Sequence, residues 1–240
     1  MRRTLVISDI HGCYDEFNNL LALVDYKKNE DLLLLLGDYV DRGARSKDVV
    51  EKVLQLVQGG NVIAIRGNHD QRFIDVMTSE DETVKMKFFQ HGGLTTLESY
   101  CGISLMGMSD EEKLHYGKEY INKNFKHHIS FLNNLPFYYE DKEHIYVHAG
   151  LNPSFENWQE QSEYDFMYIK EHFLINPTVV DKIVLFGHTK VIELHDKSDI
   201  WFGGDKIGID GGCAYGHQLN CLEIREGNYK TYFALANNAK

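Results

Sequence analysis

The chain has 240 residues, 43% of them hydrophobic, which suits one domain over residues 1–240 with a sizeable core. Its formal net charge of −11 argues against a nucleic-acid partner, because phosphate backbones are bound by basic surfaces. The four cysteines form no Cys-x-x-Cys pair, and the first apolar run is too short for a signal peptide. No stretch approaches a membrane span, so we expect a cytoplasmic protein with no membrane partner.

The first three predicted strands are each followed by polar residues. Apolar runs at 4–8, 32–36 and 61–65 predict buried strands, with amphipathic helices between them. The leucine run at 32–36 also fits a buried helix, but the Gly37-Asp38 break after it favours a strand. Open α/β sheets bind ligands at the carboxyl ends of their strands, so we expect a site there. The polar residues at these ends are Asp9, His11, Asp38, Asp41, Arg42, Arg66, Asn68, His69 and Asp70.

Asp9 and His11 form the first candidate metal-binding pair. They are two residues apart, and in an extended chain that spacing places both side chains on one face. A carboxylate and an imidazole so placed supply oxygen and nitrogen ligands suited to Mn, Fe or Zn. The alternative for this tripeptide alone is a capping aspartate beside a structural histidine.

Residues from about 78 to 140 differ in character from the segments around them. Strand patterns disappear and charge rises, which predicts a helical cap or insertion beside the sheet that shapes substrate access. Ser109 and Glu112 predict a capping box at the start of a long polar helix, and Ser46 is the predicted N-cap of an earlier helix. The histidines of the insertion, which we do not expect to bind metal, are His91, His115, His127 and His128.

Two later strands repeat the pattern of an apolar run followed by a histidine. The runs at 144–147 and 182–186 lead into His148 and His188. One histidine at a strand end is usually structural, but two more at such positions strengthen the metal interpretation. Short strands predicted in the tail suit an antiparallel or mixed second sheet. They cover residues 206–210, 219–225 and 229–235.

These motifs, in order and spacing, resemble the calcineurin-like metallophosphoesterases over residues 9–188, and most of all bacterial and phage-type serine/threonine phosphoprotein phosphatases. The resemblance implies an α/β (α+β) fold in which two mixed β-sheets form a sandwich flanked by helices. It also implies a metal-dependent phosphoric monoester hydrolase, specifically a serine/threonine protein phosphatase that uses a dinuclear metal centre and metal-bound hydroxide. The matching motifs are Asp9-x-His11, Gly37-Asp38-x-x-Asp41-Arg42-Gly43, Gly67-Asn68-His69-Asp70, His148 and Gly187-His188.

The resemblance implies a role for each matching residue. Asp38 would bridge two divalent ions, and His69 would be the general acid, oriented by Asp41. Arg42 and Arg66 would bind the phosphate, since a guanidinium matches its oxygens in two-point contact. The other metal ligands would be Asp9, His11 and His188 for the first ion, and Asn68 and His148 for the second.

The chemistry explains why these residue types are needed. Two ions roughly 3.5–4 Å apart activate a shared water and clamp the oxygens of an in-line displacement. Oxygen and nitrogen ligands without a thiolate permit Mn, Fe, Zn, Ni or Co, and we expect Mn first. An imidazole is the usual proton source for a leaving alkoxide near neutral pH.

One position departs from the family pattern. Relatives often carry an arginine in an aromatic-x-Arg-Glu segment after the cap, and that arginine reaches the substrate phosphate. Lys170 stands there in this chain, within Met-Tyr-Ile-Lys-Glu. Lysine keeps the charge but loses the planar fork. Lys170 is therefore either a substrate contact or a solvated helix residue.

The sequence leaves three functions to compare. The first is hydrolysis of a phosphorylated protein or a small phosphoester, and the second is a symmetrical bis(5'-nucleosyl)-tetraphosphatase-like activity on dinucleoside polyphosphates. Asp41, and Ala44 after Gly43, lean modestly against the second. The third is a non-catalytic binding module, which is disfavoured because the set is complete, including His69.

Overall fold

A computed structural model describes residues 2–237, which form two five-stranded mixed sheets with helices around them. The strands are β1 Thr4–Ile7, β2 Leu32–Leu35, β3 Val62–Ala64, β4 Tyr138–Glu140, β5 His144–Val147, β6 Ile183–Phe186, β7 Trp201–Phe202, β8 Lys206–Gly208, β9 Gln218–Arg225 and β10 Asn228–Leu235. The α-helices are α1 Tyr14–Leu23, α2 Ser46–Gln58, α3 Asn68–Thr78, α4 Glu82–Gln90, α5 Gly93–Cys101, α6 Asp110–Asn124, α7 Lys126–Asn133, α8 Glu163–Tyr168, α9 Glu171–Ile175 and α10 Ile192–His195. None of the helices described is long and apolar enough to cross a membrane.

The two sheets pack face to face, which confirms the predicted sandwich. Their strand orders are β10-β9-β1-β2-β3 and β4-β5-β6-β8-β7. In the first sheet β1, β2 and β3 are parallel, and in the second β5, β6 and β8 are parallel. Val6 and Leu34 of the first sheet share one buried cluster with Tyr146, Leu185 and Ile207 of the second.

The leucine run is explained by burial on both faces of its strand. Leu33 and Leu35 pack with the cluster under the helices, while Leu34 and Leu36 face the second sheet. Side chains alternate between the faces of a strand, so a strand covered on both sides is apolar at every position. The predicted strand is therefore confirmed, and the helical alternative for this segment is wrong.

The expected second sheet of the tail is only partly correct. β8 joins β6 in the second sheet, but β9 pairs antiparallel with β1, and β10 pairs with β9 in the first sheet. The predicted helical range of about 78–140 includes one strand, since β4 at its end pairs with β5. Short edge strands such as β4 depend on long-range pairing, which local patterns do not reveal.

Two details of the helices also differ from expectation. Ser46 is the first helical residue of α2 rather than its N-cap, and its hydroxyl lies 3.2 Å from the Thr96 hydroxyl. The long polar helix after Ser109 is divided at Phe125 into α6 and α7. The capping box is confirmed, because the Ser109 hydroxyl accepts from the Glu112 N–H and the Glu112 carboxylate accepts from the Ser109 N–H.

Replacing the capping serine tests this helix start. We expect Ser109→Ala to lower the free energy of unfolding by about 1 kcal/mol, because the substitution leaves a helix N–H without its side-chain acceptor. Urea denaturation measures the change. Ser130→Ala, at an exposed position inside α7, is the matched control and should have almost no effect. Equal effects of the two substitutions would contradict the capping argument.

Candidate metal centre

The predicted ligands come together where strands of both sheets end. Loops after β1, β2 and β3 approach loops after β5 and β6, and Asp38 lies among all of them. The carboxyl ends of parallel strands meet at one edge of a sheet, which places distant segments side by side. The predicted ligand side chains are buried or nearly so: Asp9, His11, Asp38, Asn68, His148 and His188.

The loop backbones are strained at the site itself. Asp9 and His11 have φ of 53° and 43°, in the left-handed region that most residues avoid. The expectation that they share a face of extended chain is therefore wrong, although His11 Nε2 still lies 3.9 Å from Asp9 Oδ1. Positive φ also occurs at Asp38, Asp41, Arg42 and His188. Such strain persists only where the surrounding structure enforces it, and it concentrates at functional sites.

Asp38 is the centre of the cluster. Its Oδ1 accepts from the His69 N–H at 2.8 Å and lies 3.5 Å from His148 Nε2, while its Oδ2 lies 3.4 Å from His11 Nε2. Burial raises its pKa, but His148, His69 and His11 outweigh burial and hold the pKa well below the usual range. Asp38 is therefore charged, and each of its oxygens faces a different imidazole.

Backbone carbonyls orient two of the imidazoles. His11 Nδ1 donates to the Val40 carbonyl and His148 Nδ1 donates to the Leu36 carbonyl, each at 2.7 Å. A carbonyl only accepts, so Nδ1 carries the proton and Nε2 of both rings is the unprotonated atom that could bind a metal. In this structure His11 Nε2 accepts from Arg42 Nη1. Burial lowers the pKa of His11 to about 4, which keeps it in the neutral form that binds metal.

Two overlapping ligand sets result, and they share Asp38. Ligand atoms of His11, Asp38 and His69 lie within 4.8 Å of one another, as do those of Asp38, His148 and His188. Oxygen and nitrogen donors around a shared carboxylate fit a pair of divalent ions. The amide of Asn68 joins the second set, since its Oδ1 lies 2.9 Å from His148 Nε2.

The position of His188 affects which of the two ions it would bind. Its imidazole lies beside His148 and its Nδ1 is 3.0 Å from Asn68 Oδ1, whereas its backbone N–H donates to Asp9 Oδ2 at 3.0 Å. The side chain thus groups with the second set, while the resemblance implies the first ion. Its assignment to either ion stays a prediction.

His69, a member of the first set, forms a hydrogen-bonded pair with Asp41. His69 Nδ1 lies 2.6 Å from Asp41 Oδ2, and Asp41 Oδ1 accepts from the Thr96 hydroxyl at 2.8 Å. Burial raises the pKa of Asp41 to about 7. On its other side His69 Nε2 is 2.8 Å from Arg42 Nη2, so a phosphate held by Arg42 would lie against His69. Thr96 belongs to α5, so the insertion supports the site directly.

Asp70 holds the loop on which Asp38 sits. Its carboxylate accepts from the backbone N–H groups of Gly67, Asp38 and Tyr39, each at 2.9 Å. Burial raises its pKa to about 8. The sequence placed Asp70 in a motif but gave it no role, and the structure supplies one: it fixes the β2 loop to the start of α3.

Two basic residues, for which the resemblance implies phosphate binding, point away from the ligand sets. The Arg66 guanidinium donates to Gln71 Oε1 and to the carbonyls of Asn133 and Leu135. Lys170 pairs with Glu193 at 2.7 Å and is half exposed. Among the residues described, neither lines the pocket over the ligand sets. Their phosphate-binding roles stay predictions.

The same pocket contains residues that the sequence interpretation missed. It is lined in part by Arg72, Lys87, His91, Lys190 and Asp210. Asp9, Asp38 and Asp210 concentrate negative charge where cations would bind. Burial and these neighbouring carboxylates therefore raise the pKa of Asp9. The spacing of Arg72, four residues after Asn68 on α3, was a usable signal, because that spacing lies on one helical face.

Comparison with known proteins identifies the family. The family model described as calcineurin-like phosphoesterase matches residues 2–221, and the chain belongs to this family of hydrolases. Similar proteins include the asymmetrical bis(5'-nucleosyl)-tetraphosphatase of Anoxybacillus flavithermus, 26% identical over 92% of this chain and 90% of that relative. Serine/threonine-protein phosphatase 1 of Salmonella typhimurium is 25% identical over 93% of both chains. A serine/threonine phosphatase structure from Saccharomyces cerevisiae aligns with TM-score 0.59 and 15% identity over all of this chain and 81% of that one, which supports the fold.

The role of Asp70 can be tested without an activity assay. Asp70→Asn replaces an acceptor oxygen with an NH₂ group that faces backbone donors, and each buried donor left unpaired costs about 1–3 kcal/mol. We expect urea denaturation to show a loss of that size. Asp75→Asn, on the same helix with a single side-chain partner, should lose less than about 1 kcal/mol. A smaller loss for Asp70→Asn than for Asp75→Asn would refute the anchoring role.

Proposed function

We propose that the chain hydrolyses phosphoric monoesters at a dinuclear metal centre, with phosphoserine and phosphothreonine in proteins as the first candidate substrates. The observation that carries this proposal is the His69–Asp41 pair, 2.6 Å apart, placed beside two ligand sets that share Asp38. That combination supplies a proton donor next to a cation site, as phosphoryl transfer to water requires. The full-length similarity to a bacterial serine/threonine phosphatase supports the substrate class.

Each predicted residue would have a separate role in catalysis. Asp9, His11 and Asp38, with Asn68, His148 and His188, would hold two divalent ions, Mn first among Mn, Fe, Zn, Ni and Co. When bound, such ions lower the pKa of a shared water and neutralise phosphate oxygens. Arg42 would bind two phosphate oxygens through its planar fork. His69 Nε2 accepts from Arg42 in this structure; once protonated there, His69 would give that proton to the leaving oxygen, and Asp41 would keep the ring oriented for the transfer.

The second candidate is hydrolysis of dinucleoside polyphosphates. One observation favours it: the pocket carries Arg72, Lys87 and Lys190 in addition to Arg42, so cations are spread over more of the pocket than one phosphate would contact. They stand among the carboxylates of Asp38, Asp75, Glu163 and Asp210. The similar tetraphosphatase of Anoxybacillus flavithermus supports it as well.

A substrate panel separates the two candidates. With Mn added, we expect turnover of p-nitrophenyl phosphate together with either phosphoserine peptides or diadenosine tetraphosphate. Release of inorganic phosphate measures the monoesters, and chromatography of the nucleotide products measures the polyphosphate and shows whether cleavage is symmetrical. Failure to turn over every one of these substrates would contradict the proposed function.

The general acid can be separated from the metal ligands by substitution. We expect His69→Asn to reduce kcat by about 10²–10⁴-fold, because the leaving oxygen loses its proton donor. Its metal content, measured by plasma mass spectrometry, should equal that of the unaltered protein. His148→Asn should instead lose metal, and His115→Asn, at an exposed position in α6, should change neither. Loss of metal from His69→Asn would make it a ligand and overturn the assignment.

A further inference from the structure

Arg72 is a buried cation with no hydrogen-bonded or ion-paired partner among the residues described. Its side chain is 8% exposed, and Nη1 is fully buried with no hydrogen bond. No residue of the described segment 2–237 accepts a hydrogen bond from its guanidinium or places a carboxylate oxygen within 4.0 Å of it. Asp75 and Glu163 line the same pocket, yet neither pairs with it. The Asp41 carboxyl feels the charge of Arg72 but makes no ion pair with it. A buried guanidinium without a contacting anion is unfavourable, so the site suits an anion from outside the chain.

The position of Arg72 on α3 brings it close to the reacting groups. Asn68 and Arg72 are one turn apart on the helix face that lines the pocket, a rise of about 6 Å. Long side chains on a helix lean toward its N-terminus, which here is the end that carries Asn68 and His69. Arg72 can therefore reach an anion adjacent to His69.

The neighbours of His69 indicate whether Arg72 lies toward the ligand sets or toward the leaving group. The ring centroid of His11 lies 4.7 Å from that of His69, and the ring of His91 lies 6.0 Å away, both edge-on. His11 belongs to the ligand sets, whereas His91 belongs to a pocket wall shared with Arg72 and Lys87. Burial, followed by the positive charges of Arg72, Arg42 and Lys87, lowers the pKa of His91.

In an in-line displacement the leaving group departs opposite the attacking water. The water comes from the side of the ligand sets, and the general acid stands at the leaving oxygen. Arg72, Lys87 and His91 line the pocket beside His69 and would therefore face the leaving group.

We propose that Arg72, with Lys87 and His91, binds a phosphate attached to the leaving oxygen, so that the preferred substrate class is a phosphoanhydride such as a nucleoside polyphosphate. This inference rests on the proposed function and favours its second candidate. In an anhydride the next phosphorus is bonded directly to the leaving oxygen, which matches an arginine one helical turn from the general acid. In a doubly phosphorylated peptide the second phosphate is many bonds away.

The reaction balances as a hydrolysis. A bond forms between the water oxygen and the attacked phosphorus, and the bond from that phosphorus to the bridging oxygen breaks. The bridging oxygen leaves with the second phosphate, taking the proton from His69 when it is protonated. The products are two phosphates or nucleotides, with the atoms of one water added.

The test compares Arg72→Met with Arg225→Met, an exposed control at the end of β9. We expect Arg72→Met to lower kcat/KM for diadenosine tetraphosphate by about 10–100-fold, mainly through KM, as expected for a lost charge-assisted contact. Its kcat/KM for p-nitrophenyl phosphate, whose leaving group has no phosphate, should change by less than about 3-fold. Arg72→Lys, which keeps the charge, should recover part of the loss and guards against misfolding of the methionine variant.

A binding measurement is independent of turnover. Calorimetric titration of ADP into metal-free protein should show weaker binding to Arg72→Met than to the unaltered protein and to Arg225→Met. Equal losses on both substrates, a larger loss on a doubly phosphorylated peptide, or unchanged ADP binding would overturn the subsite. Inactivity of the unaltered protein on every substrate would overturn the proposed function instead, and the titration would still decide on Arg72.

Discussion

The buried carboxylate of Asp38 is the interaction on which the site depends. One oxygen accepts the His69 amide and faces His148, and the other faces His11, so a single side chain joins the loops after β1, β2, β3 and β5. A buried carboxylate is tolerable only when positive or hydrogen-bonding groups surround it. The His69 N–H meets part of that need. The unprotonated Nε2 atoms of His11 and His148 face the same carboxylate with lone pairs, so cations bound between these groups would supply the rest.

The loops that carry the predicted ligands pack against one another so closely that two positions have no room for a side chain. A Cβ added to Gly67 would overlap the Asp38 backbone nitrogen and carboxylate, and one added to Gly187 would overlap Ser8 and the Asp9 carboxylate. Glycine is therefore required where the loops touch. The left-handed conformations of Asp9, Asp38 and His188 are held by this packing and by the Asp70 hydrogen bonds. Rigid loops of this kind can present ligands to cations without rearrangement, which favours tight and specific binding.

Much of the fold could be predicted because local sequence patterns indicate its strands and helices. The leucines of β2 indicated a strand covered on both faces, and the polar residues after β1, β2 and β3 indicated a shared edge. The pairing of β9 with β1 could not be predicted, since it joins residues more than 200 positions apart through hydrogen bonds that no short motif encodes. The motifs picked out residues that the structure brings together as candidate ligands, but they did not predict the left-handed backbones of these residues. Arg72 could have been placed on the same helix face as Asn68 from its spacing, but only the three-dimensional arrangement shows that its buried guanidinium lacks a hydrogen bond.

The central claim is that this cluster holds two divalent ions around Asp38. The most direct measurement is the metal content of the purified chain after dialysis against Mn, by plasma mass spectrometry, for the unaltered protein and for Asp38→Ala. The account predicts about two ions per chain, and loss of both when the shared carboxylate is removed. A single ion, or a content unaffected by Asp38→Ala, would contradict it.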